Sequence, residues 1–162
     1  MTPEEDRSRE TQILHMNMVD YWYEVDLKGG LGVAARFYTE DGVFEGGNDP
    51  LVGHAAIEAF YAWRIGRGQR TSRHVITNFR ADFHDAKSAT TYCVMQLFAA
   101  DGAPILPSTP PIMITDLIDE CVKGEDAQWR YKRRTFVPLF QGQIAPTVPP
   151  AHLAETHNKK PA

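Results

Sequence analysis

The stretch that decides the fold is TSRHVITNFRADF, which runs from Thr71 to Phe83. Polar and apolar residues alternate there, and this period of two predicts a strand whose two faces meet different surroundings. His74, Ile76 and Asn78 share one of these faces, so we expect a titratable imidazole to point into the space that the fold encloses. The alternative interpretation is a buried structural histidine that is hydrogen-bonded to a neighbour.

The size and charge of the chain restrict the classes of protein to consider. Its 162 residues fit one domain of ordinary size. A net charge of -4 argues against a surface for nucleic acid or anionic membranes. No apolar run approaches the length of a membrane span, and the acidic start MTPEEDRSRE is unlike a signal peptide. We therefore expect a cytoplasmic protein that binds neither nucleic acid nor a membrane.

Motifs for metals and cofactors are missing from the sequence. Cys93 and Cys121 are the only cysteines and lie in separate predicted strands, so we expect buried thiols rather than a disulfide. The six histidines show no HxxxH or HExxH spacing, and His152 and His157 fall in the C-terminal tail. No phosphate loop, dinucleotide fingerprint or GxSxG motif is present. The sequence predicts no cofactor and no metal.

A long first helix follows a charged segment from Pro3 to Arg9. The apolar residues that recur at helical spacing are Leu14, Met18, Trp22 and Val25. Asp26, at the C-terminal end, lies on the same side as Trp22 and Tyr23, which should turn inward. A carboxylate at this end of a helix and beside aromatic rings is unfavourable unless it has a partner. The alternative is a solvated aspartate at a frayed helix end.

Two shorter helices and a brief strand follow. The sequence predicts a second helix from Leu31 to Tyr38, a strand at GVFEGG (residues 42–47), and a third helix from His54 to Ile65. The apolar side of the third helix consists of Ile57, Phe60, Tyr61 and Trp63. Core packing is the default interpretation of this side, although some of its aromatic rings can line a small-molecule pocket.

Long strands dominate the second half of the chain. They are predicted at Thr71–Phe83, Ala89–Ala99, Ile112–Cys121 and Trp129–Val137, separated by turn residues. We expect an α+β fold of three N-terminal helices packed on a curved, mostly antiparallel sheet, formed by residues 1–140. Residues 141–162 lack periodicity and should form an extended, partly mobile tail. Strands such as TYCVMQLF are apolar on both faces, which favours a homo-oligomer.

Several segments resemble one known family. They are YWYEVDLKGGLGVAARFYTEDGVFEGG, the helix GHAAIEAFYAW, the strand SRHVITNF and the closing strand WRYKRRTF. Their order and spacing resemble the nuclear transport factor two-like fold, and within it the SnoaL-like branch. The resemblance covers roughly Asp6 to Phe140, and each motif alone has low specificity for the family.

The resemblance implies a pair of catalytic residues. In the scytalone dehydratase, bile-acid dehydratase and hexachlorocyclohexane dehydrochlorinase of this family, an Asp that ends the first helix pairs with a His on the strand after the third helix. Asp26 and His74 match these positions. In such a pair a neutral imidazole removes a proton, while the carboxylate stabilises the imidazolium. Scytalone dehydratase has a second catalytic His on the next strand, and its absence from residues 89–99 argues against scytalone as the substrate.

The resemblance assigns other site residues of this chain less directly. Bile-acid dehydratases resemble this chain in a tyrosine five residues before the Asp, which is Tyr21 here, whereas helical geometry places Tyr23 closer to Asp26. Either phenol could assist the reaction. A strand arginine of the family matches Arg134 best, and a solvated or interface arginine remains the alternative. Alternation places four residues on one face without saying which face is inside: Arg130, Lys132, Arg134 and Phe136.

The leading hypothesis is a cofactor-independent lyase, of the dehydratase type, or an isomerase. Its substrate would be a small, hydrophobic and cyclic molecule, with Asp26, His74 and Tyr21 as catalytic residues. The expected substrate contacts are Trp22, Tyr23, Phe60, Trp63, Asn78 and Arg134. The alternative is a non-catalytic protein that binds a hydrophobic ligand or serves as a scaffold, as the small subunits of ring-hydroxylating dioxygenases do. For the assembly, the resemblance implies a trimer, with a dimer as the alternative.

Overall fold

The computed structural model describes residues 2–47 and 49–155. The elements in chain order are α1 (Pro3–Lys28), α2 (Val33–Phe37), β1 (Tyr38–Glu45), β2 (Leu51–Val52), α3 (Gly53–Gly66), β3 (Arg70–Phe83), β4 (Ser88–Asp101), β5 (Met113–Lys123), β6 (Trp129–Gln141) and α4 (Ala151–Glu155). This is the α+β architecture that the sequence predicts.

The first helix includes the charged segment that the sequence suggested as a lead-in. A capping box begins α1: the Glu5 amide donates to the Thr2 hydroxyl, and the Thr2 amide donates to the Glu5 carboxylate. The helix ends at Gly29, whose φ of 80° is left-handed. Its buried stripe consists of Leu14, Met18, Tyr21, Trp22 and Val25. None of the described helices is long and apolar enough to cross a membrane.

The six strands form one curved sheet in the order β2-β1-β6-β5-β4-β3. Strands β3 to β6 form the predicted antiparallel meander, and β1 lies parallel to β6. The strand β2 has only two residues, which is too short for the sequence to show a period. The three N-terminal helices and the inner face of the sheet enclose the core.

A β-bulge divides β3 into two halves. The pairing with β4 shifts between Thr77 and Arg80, so Asn78 and Phe79 together occupy the place of one residue. Asn78 has a left-handed φ of 55°. Because side chains alternate, the extra residue exchanges the two faces. His74 therefore points inward before the bulge, whereas the inward side chains after it are Phe79, Ala81 and Phe83.

A second bulge has the same effect in β6. Tyr131 pairs with Cys121 and Arg133 pairs with Glu120, which leaves Lys132 as the extra residue. Tyr131 and Arg134 are consequently both buried, although their numbers differ by three. The prediction that Arg130, Lys132, Arg134 and Phe136 share one face is wrong, since only the last two point inward.

The segment after β6 differs from the expected extended tail. Residues 142–150 have no regular structure, and α4 follows them with Leu153 and Ala154 packed against the core. Residues 145–148 line the cavity described below. His157, which the sequence analysis places in the C-terminal tail, lies outside the described residues.

Candidate active site

A cavity of about 390 Å³ lies between α1, α3 and the inner face of the sheet. Residues of the segment after β6 contribute one side of it. Its wall is mainly apolar and aromatic, formed in large part by Trp22, Phe44, Phe60, Tyr61, Met95, Leu97, Met113 and Phe136. The polar side chains in the wall, apart from the Tyr61 hydroxyl, are Glu45, Arg64, Arg70, His74, Gln141 and Thr147. An apolar pocket with a few polar groups is typical of a small-molecule site.

Asp26 and His74 are hydrogen-bonded at the wall of this cavity. The Nδ1 atom of His74 lies 2.7 Å from Oδ1 of Asp26, and the His74 backbone amide donates to Oδ2 at 2.8 Å. The Ser72 hydroxyl donates to Oδ1, also at 2.8 Å. The Asp26 and His74 side chains are only 6% and 9% exposed. The buried carboxylate at the end of α1 therefore has three donors.

The environment favours a neutral imidazole beside an ionised carboxylate. Burial lowers the pKa of His74, and the charges of Arg64 and Arg134 add to this, which together outweigh the opposing effect of Asp26. Burial alone would raise the pKa of Asp26, but the hydrogen bonds and charge of His74, with the Ser72 hydroxyl, hold it below its usual value. Neutral His74 thus donates from Nδ1 to Asp26, which leaves Nε2 as a basic nitrogen. Within the described part of the chain, Nε2 has no hydrogen-bond partner.

Trp22 fixes the orientation of the imidazole ring. The indole and the His74 ring are stacked, with centroids 3.9 Å apart and planes 12° from parallel. Trp22 lies one helical turn before Asp26 on α1, so one element supplies both the stacking surface and the carboxylate. The histidine is held by its side-chain hydrogen bond, its own backbone amide and this stack.

A tyrosine cluster lies beside the pair. The hydroxyls of Tyr21 and Tyr61 form a short hydrogen bond, and the Tyr21 hydroxyl lies 3.4 Å from that of Tyr38. Of the three, only Tyr61 lines the cavity. Burial raises the pKa of Tyr61 well above its usual value, so this phenol stays protonated and can donate. Gly30 allows the close packing of this ring, because a Cβ there would lie 2.5 Å from it.

Tyr23 does not point toward the cavity, contrary to the expectation. Its ring is 53% exposed and lies under the Lys28 ammonium group. Asp26 lies at the edge of the buried stripe of α1, and Tyr23 lies beyond that edge, whereas Trp22 lies within it. Tyr23 lines only a smaller groove on the other side of His74.

Asn78 and Trp63 also lie away from the main cavity. Asn78 is exposed because it is the bulge residue of β3. Trp63 is half-buried and stacks on Phe60, with ring centroids 6.1 Å apart, and Arg67 covers it. Phe60 itself lines the cavity, so only part of the predicted aromatic lining on α3 contacts the enclosed space.

Arg134 is neither solvated nor in the cavity wall. Its guanidinium donates from Nε and Nη2 to the two oxygens of Asp119, at 2.8 and 2.7 Å, and both side chains are fully buried. The rings of Tyr21 and Tyr131 lie about 4 Å from the guanidinium carbon. The second bulge explains this position, since it turns Arg134 toward the core.

Sequence reasoning missed several polar residues near the cavity, including Tyr61, Arg64, Arg70 and Ser72. Alternation along β3 could have found two of them, because Arg70 and Ser72 are on the same face as His74. Helical spacing could have found Arg64, which is four residues after Phe60. The Tyr61 ring was assigned to core packing.

Other reactive groups are absent from this site. Cys93 and Cys121 are free and buried, as the sequence predicts, and burial raises the pKa of Cys93 to about 12, with the Asp119 charge adding to the effect. Neither thiol is suited to nucleophilic chemistry. Among the described residues, no three His, Cys, Asp or Glu side chains are arranged to hold a metal ion.

A curved sheet wrapped around N-terminal helices, with a cavity enclosed between them, defines the nuclear transport factor two-like class. The chain belongs to the SnoaL-like domain family, whose profile matches residues 15–135. No curated protein matches the sequence significantly.

Solved structures share this fold at low sequence identity. A candidate scytalone dehydratase from Novosphingobium aromaticivorans is 20% identical, with a TM-score of 0.76, 90% of this chain covered and 95% of the other. A protein of unknown function from Mycobacterium tuberculosis is 22% identical, with a TM-score of 0.74 and coverages of 96% and 88%. A candidate aromatic ring hydroxylase from Novosphingobium aromaticivorans is 22% identical, with a TM-score of 0.65 and coverages of 86% and 93%.

Proposed function

We propose that the protein is a cofactor-independent lyase or isomerase that removes a proton from a small hydrophobic substrate. The observation that carries this proposal is the hydrogen bond from His74 Nδ1 to Asp26, at the cavity wall. It leaves a neutral imidazole whose Nε2 has no partner among the described residues. A scaffold protein has no need of a buried acid and base at the wall of one cavity. The SnoaL-like family and the similarity to a candidate scytalone dehydratase support this class of reaction.

The proposed mechanism begins with proton transfer to His74. Nε2 takes a proton from a carbon next to a carbonyl group, and the electron pair of the C–H bond forms an enolate. The Asp26 carboxylate stabilises the imidazolium. Tyr61 donates a hydrogen bond to the oxygen on which negative charge develops. In an elimination, the enolate expels a β-hydroxyl, which leaves as water after His74 returns the proton. In an isomerisation, His74 returns the proton to another carbon.

The cavity wall supports this chemistry by excluding water. Aromatic and aliphatic side chains surround His74, so the charges of the reaction develop in a medium of low dielectric constant, where positioned donors act strongly. A volume of about 390 Å³ suits a molecule of one or two rings. Substrate contacts proposed from the residues that line it are Trp22, Phe60, Tyr61 and Phe136.

Deuterium exchange tests the proposed proton removal without knowledge of the natural substrate. A panel of cyclic ketones, enones and β-hydroxyketones is incubated in D₂O, and NMR follows exchange at the carbon next to the carbonyl, loss of water and double-bond migration. We expect at least one compound to react, and His74→Ala and His74→Gln to slow it by about 10²-fold or more. His84→Gln is the matched control, since His84 is an exposed histidine in the turn after β3.

Two outcomes would overturn the proposal. In the first, folded His74→Ala and His74→Gln proteins exchange deuterium as fast as the natural protein. In the second, compounds from the panel bind in the cavity and show no reaction that depends on His74, which would favour a non-catalytic ligand-binding protein.

We also propose that the chain forms a homo-oligomer through the outer face of its sheet. Large apolar side chains are exposed on that face, namely Val75, Tyr92, Phe98, Val137 and Leu139. A second copy of the chain would cover such a patch. Light scattering at micromolar concentration should give a mass of two or three chains, and the 18.2 kDa mass of one chain would contradict the proposal.

A further inference from the structure

Two guanidinium groups line the cavity without a full set of partners. Arg64, near the end of α3, donates from Nη2 to the Ser72 hydroxyl at 3.1 Å. Within the described residues it has no ion pair with a carboxylate. A guanidinium carries five N–H donors, so most donors of Arg64 have no partner among the described residues.

Arg70, the first residue of β3, has a buried donor with no acceptor. Its Nη1 donates to Asp101 at 2.6 Å, and that carboxylate is 79% exposed and so largely solvated. Its Nη2 is buried and has no hydrogen-bond partner among the described residues. Leaving a charged donor buried and unpaired is unfavourable, so a group that supplies an acceptor through the cavity would be bound favourably.

The carboxylates near the cavity cannot satisfy these arginines. Asp26 already accepts hydrogen bonds from Ser72 and His74. Glu45 lines the cavity, but its two oxygens bind Arg133 and Thr135. Both carboxylates are therefore engaged, whereas donors of Arg64 and Arg70 have no partner among the described residues. This imbalance fits an anionic oxygen group on the ligand.

The spacing along β3 sets where that group would lie. Arg70, Ser72 and His74 occupy alternate positions on the inner face of the strand, so the Cα atoms of Arg70 and His74 are about 13 Å apart. Arg64 reaches the same face between them, at Ser72. A ligand that contacts both the arginines and His74 must extend along β3, with its anionic group several bonds from the atom next to His74.

We propose that the substrate is a hydrophobic carboxylic acid, bound as its carboxylate by Arg64 and Arg70. Its apolar body lies against Phe60, Met95 and Leu97, and its reacting carbon lies next to Nε2 of His74. This inference rests on the proposed function, because it names the substrate class for the same site. The arginines orient the molecule, so that proton removal occurs at one carbon.

A pair of probes of equal shape tests the role of the charge. Isothermal titration calorimetry near neutral pH compares 4-phenylbutanoate with 4-phenylbutanamide, which differ in the anionic group alone. We expect the carboxylate to bind about tenfold more tightly or better. Arg64→Met and Arg70→Met should each remove most of this preference, while Arg70→Lys, which keeps a charge, should retain part of it. Arg80→Met is the matched control, since Arg80 is an exposed arginine on the same strand.

The outcomes separate this inference from the proposed function. Equal affinities for the two probes, no binding of the carboxylate in the millimolar range, or an unchanged preference in folded Arg64→Met and Arg70→Met proteins would overturn the carboxylate site. None of these results depends on His74. Conversely, His74→Gln should keep the preference for the carboxylate, so a failure of the proton-transfer test would leave this measurement interpretable.

Discussion

Two buried carboxylates of this protein have basic partners in opposite settings. Asp119 and Arg134 are cross-strand neighbours on β5 and β6, joined by two hydrogen bonds and sealed under aromatic rings. Asp26 and His74 come from a helix and a strand, and His74 forms part of the cavity wall. Trp22 contacts both pairs: its ring lies 3.9 Å from the His74 ring and 5.3 Å from the Arg134 guanidinium carbon.

The difference shows that burial and pairing do not by themselves identify a reactive site. Arg134 cannot lose its proton at any ordinary pH, because the Asp119 carboxylate raises its pKa well above the usual value, against the lowering effect of burial. Burial lowers the pKa of His74, so its imidazole can exchange a proton, and its Nε2 has no partner among the described residues. We therefore expect the first pair to stabilise the fold and the second to carry the chemistry.

Arg134→Met should have the largest effect on stability. The substitution leaves the Asp119 charge buried without a partner, so the free energy of unfolding should fall by about 3–5 kcal/mol. Urea denaturation measures this change. The double variant Asp119→Leu, Arg134→Met removes both charges and should recover part of the loss. A loss below about 1 kcal/mol in Arg134→Met would show that the Asp119–Arg134 pair contributes little to stability.

Asp26→Asn should affect turnover more than stability. The amide keeps the shape of the carboxylate but loses the charge that stabilises the imidazolium, so the rate should fall by about 10²- to 10⁴-fold. The free energy of unfolding should change by about 1–3 kcal/mol, since hydrogen bonds to the carboxylate are weakened. Deuterium exchange on a reactive compound from the panel and urea denaturation measure the two effects. Full activity in Asp26→Asn would remove the carboxylate from the mechanism.

The pH dependence of the rate should report His74. The base must be unprotonated, so the rate rises as pH increases through the His74 pKa and then levels off. Because burial lowers that pKa, the midpoint should lie below the usual value of 6.5. NMR of the ring should give the same midpoint. In Asp26→Asn the midpoint should move to lower pH, since a charge that favours imidazolium is gone. A midpoint above 6.5, or a rate that does not follow the NMR titration of the His74 ring, would contradict this assignment.

Ser72→Ala should have the smallest effect. It removes one donor to Asp26 and the acceptor of Arg64, and it should cost about 1 kcal/mol of stability at neutral pH. The Ser72 hydrogen bond helps to lower the Asp26 pKa below 3.8, so its contribution is present above that value and lost as pH falls through the Asp26 pKa. The difference between the natural protein and the variant should therefore shrink in acid. A difference independent of pH would contradict this coupling.

Periodicity in the sequence was enough for the long elements but not for the site. The helix α3 and the strands β3 to β6 lie within about four residues of their predicted bounds, because each repeats its pattern several times. The helix α1 begins earlier than predicted, at Pro3. The contact between Asp26 and His74 came from family resemblance, since no local rule brings a helix end to a strand 48 residues away.

Errors in the predicted site have a common cause. Strict alternation placed Asn78 beside His74, and it placed Arg134, chosen by family resemblance, on one face with Lys132. A single extra residue reverses such a pattern. The local sign in β3 is Asn78, a residue type that tolerates a left-handed backbone, whereas Lys132 gives no such sign in β6. Tyr23 was placed by its nearness to Asp26 alone, without the position of the buried stripe of α1.

The bulge at Asn78 determines which side chains of the two halves of β3 point inward, so a substitution at this residue can affect both halves. Asn tolerates the left-handed backbone of this position, whereas a β-branched residue such as Ile would favour a regular strand there. A regular strand without the bulge would shift one half of β3 by one residue, so that its side chains change face. Either His74 would then turn away from Asp26, or Phe79 and Phe83 would turn out of the core. An exposed side chain outside the cavity thus constrains the alignment of a proton-transfer pair, and a substitution scan should find Asn78 far less tolerant than its exposure suggests.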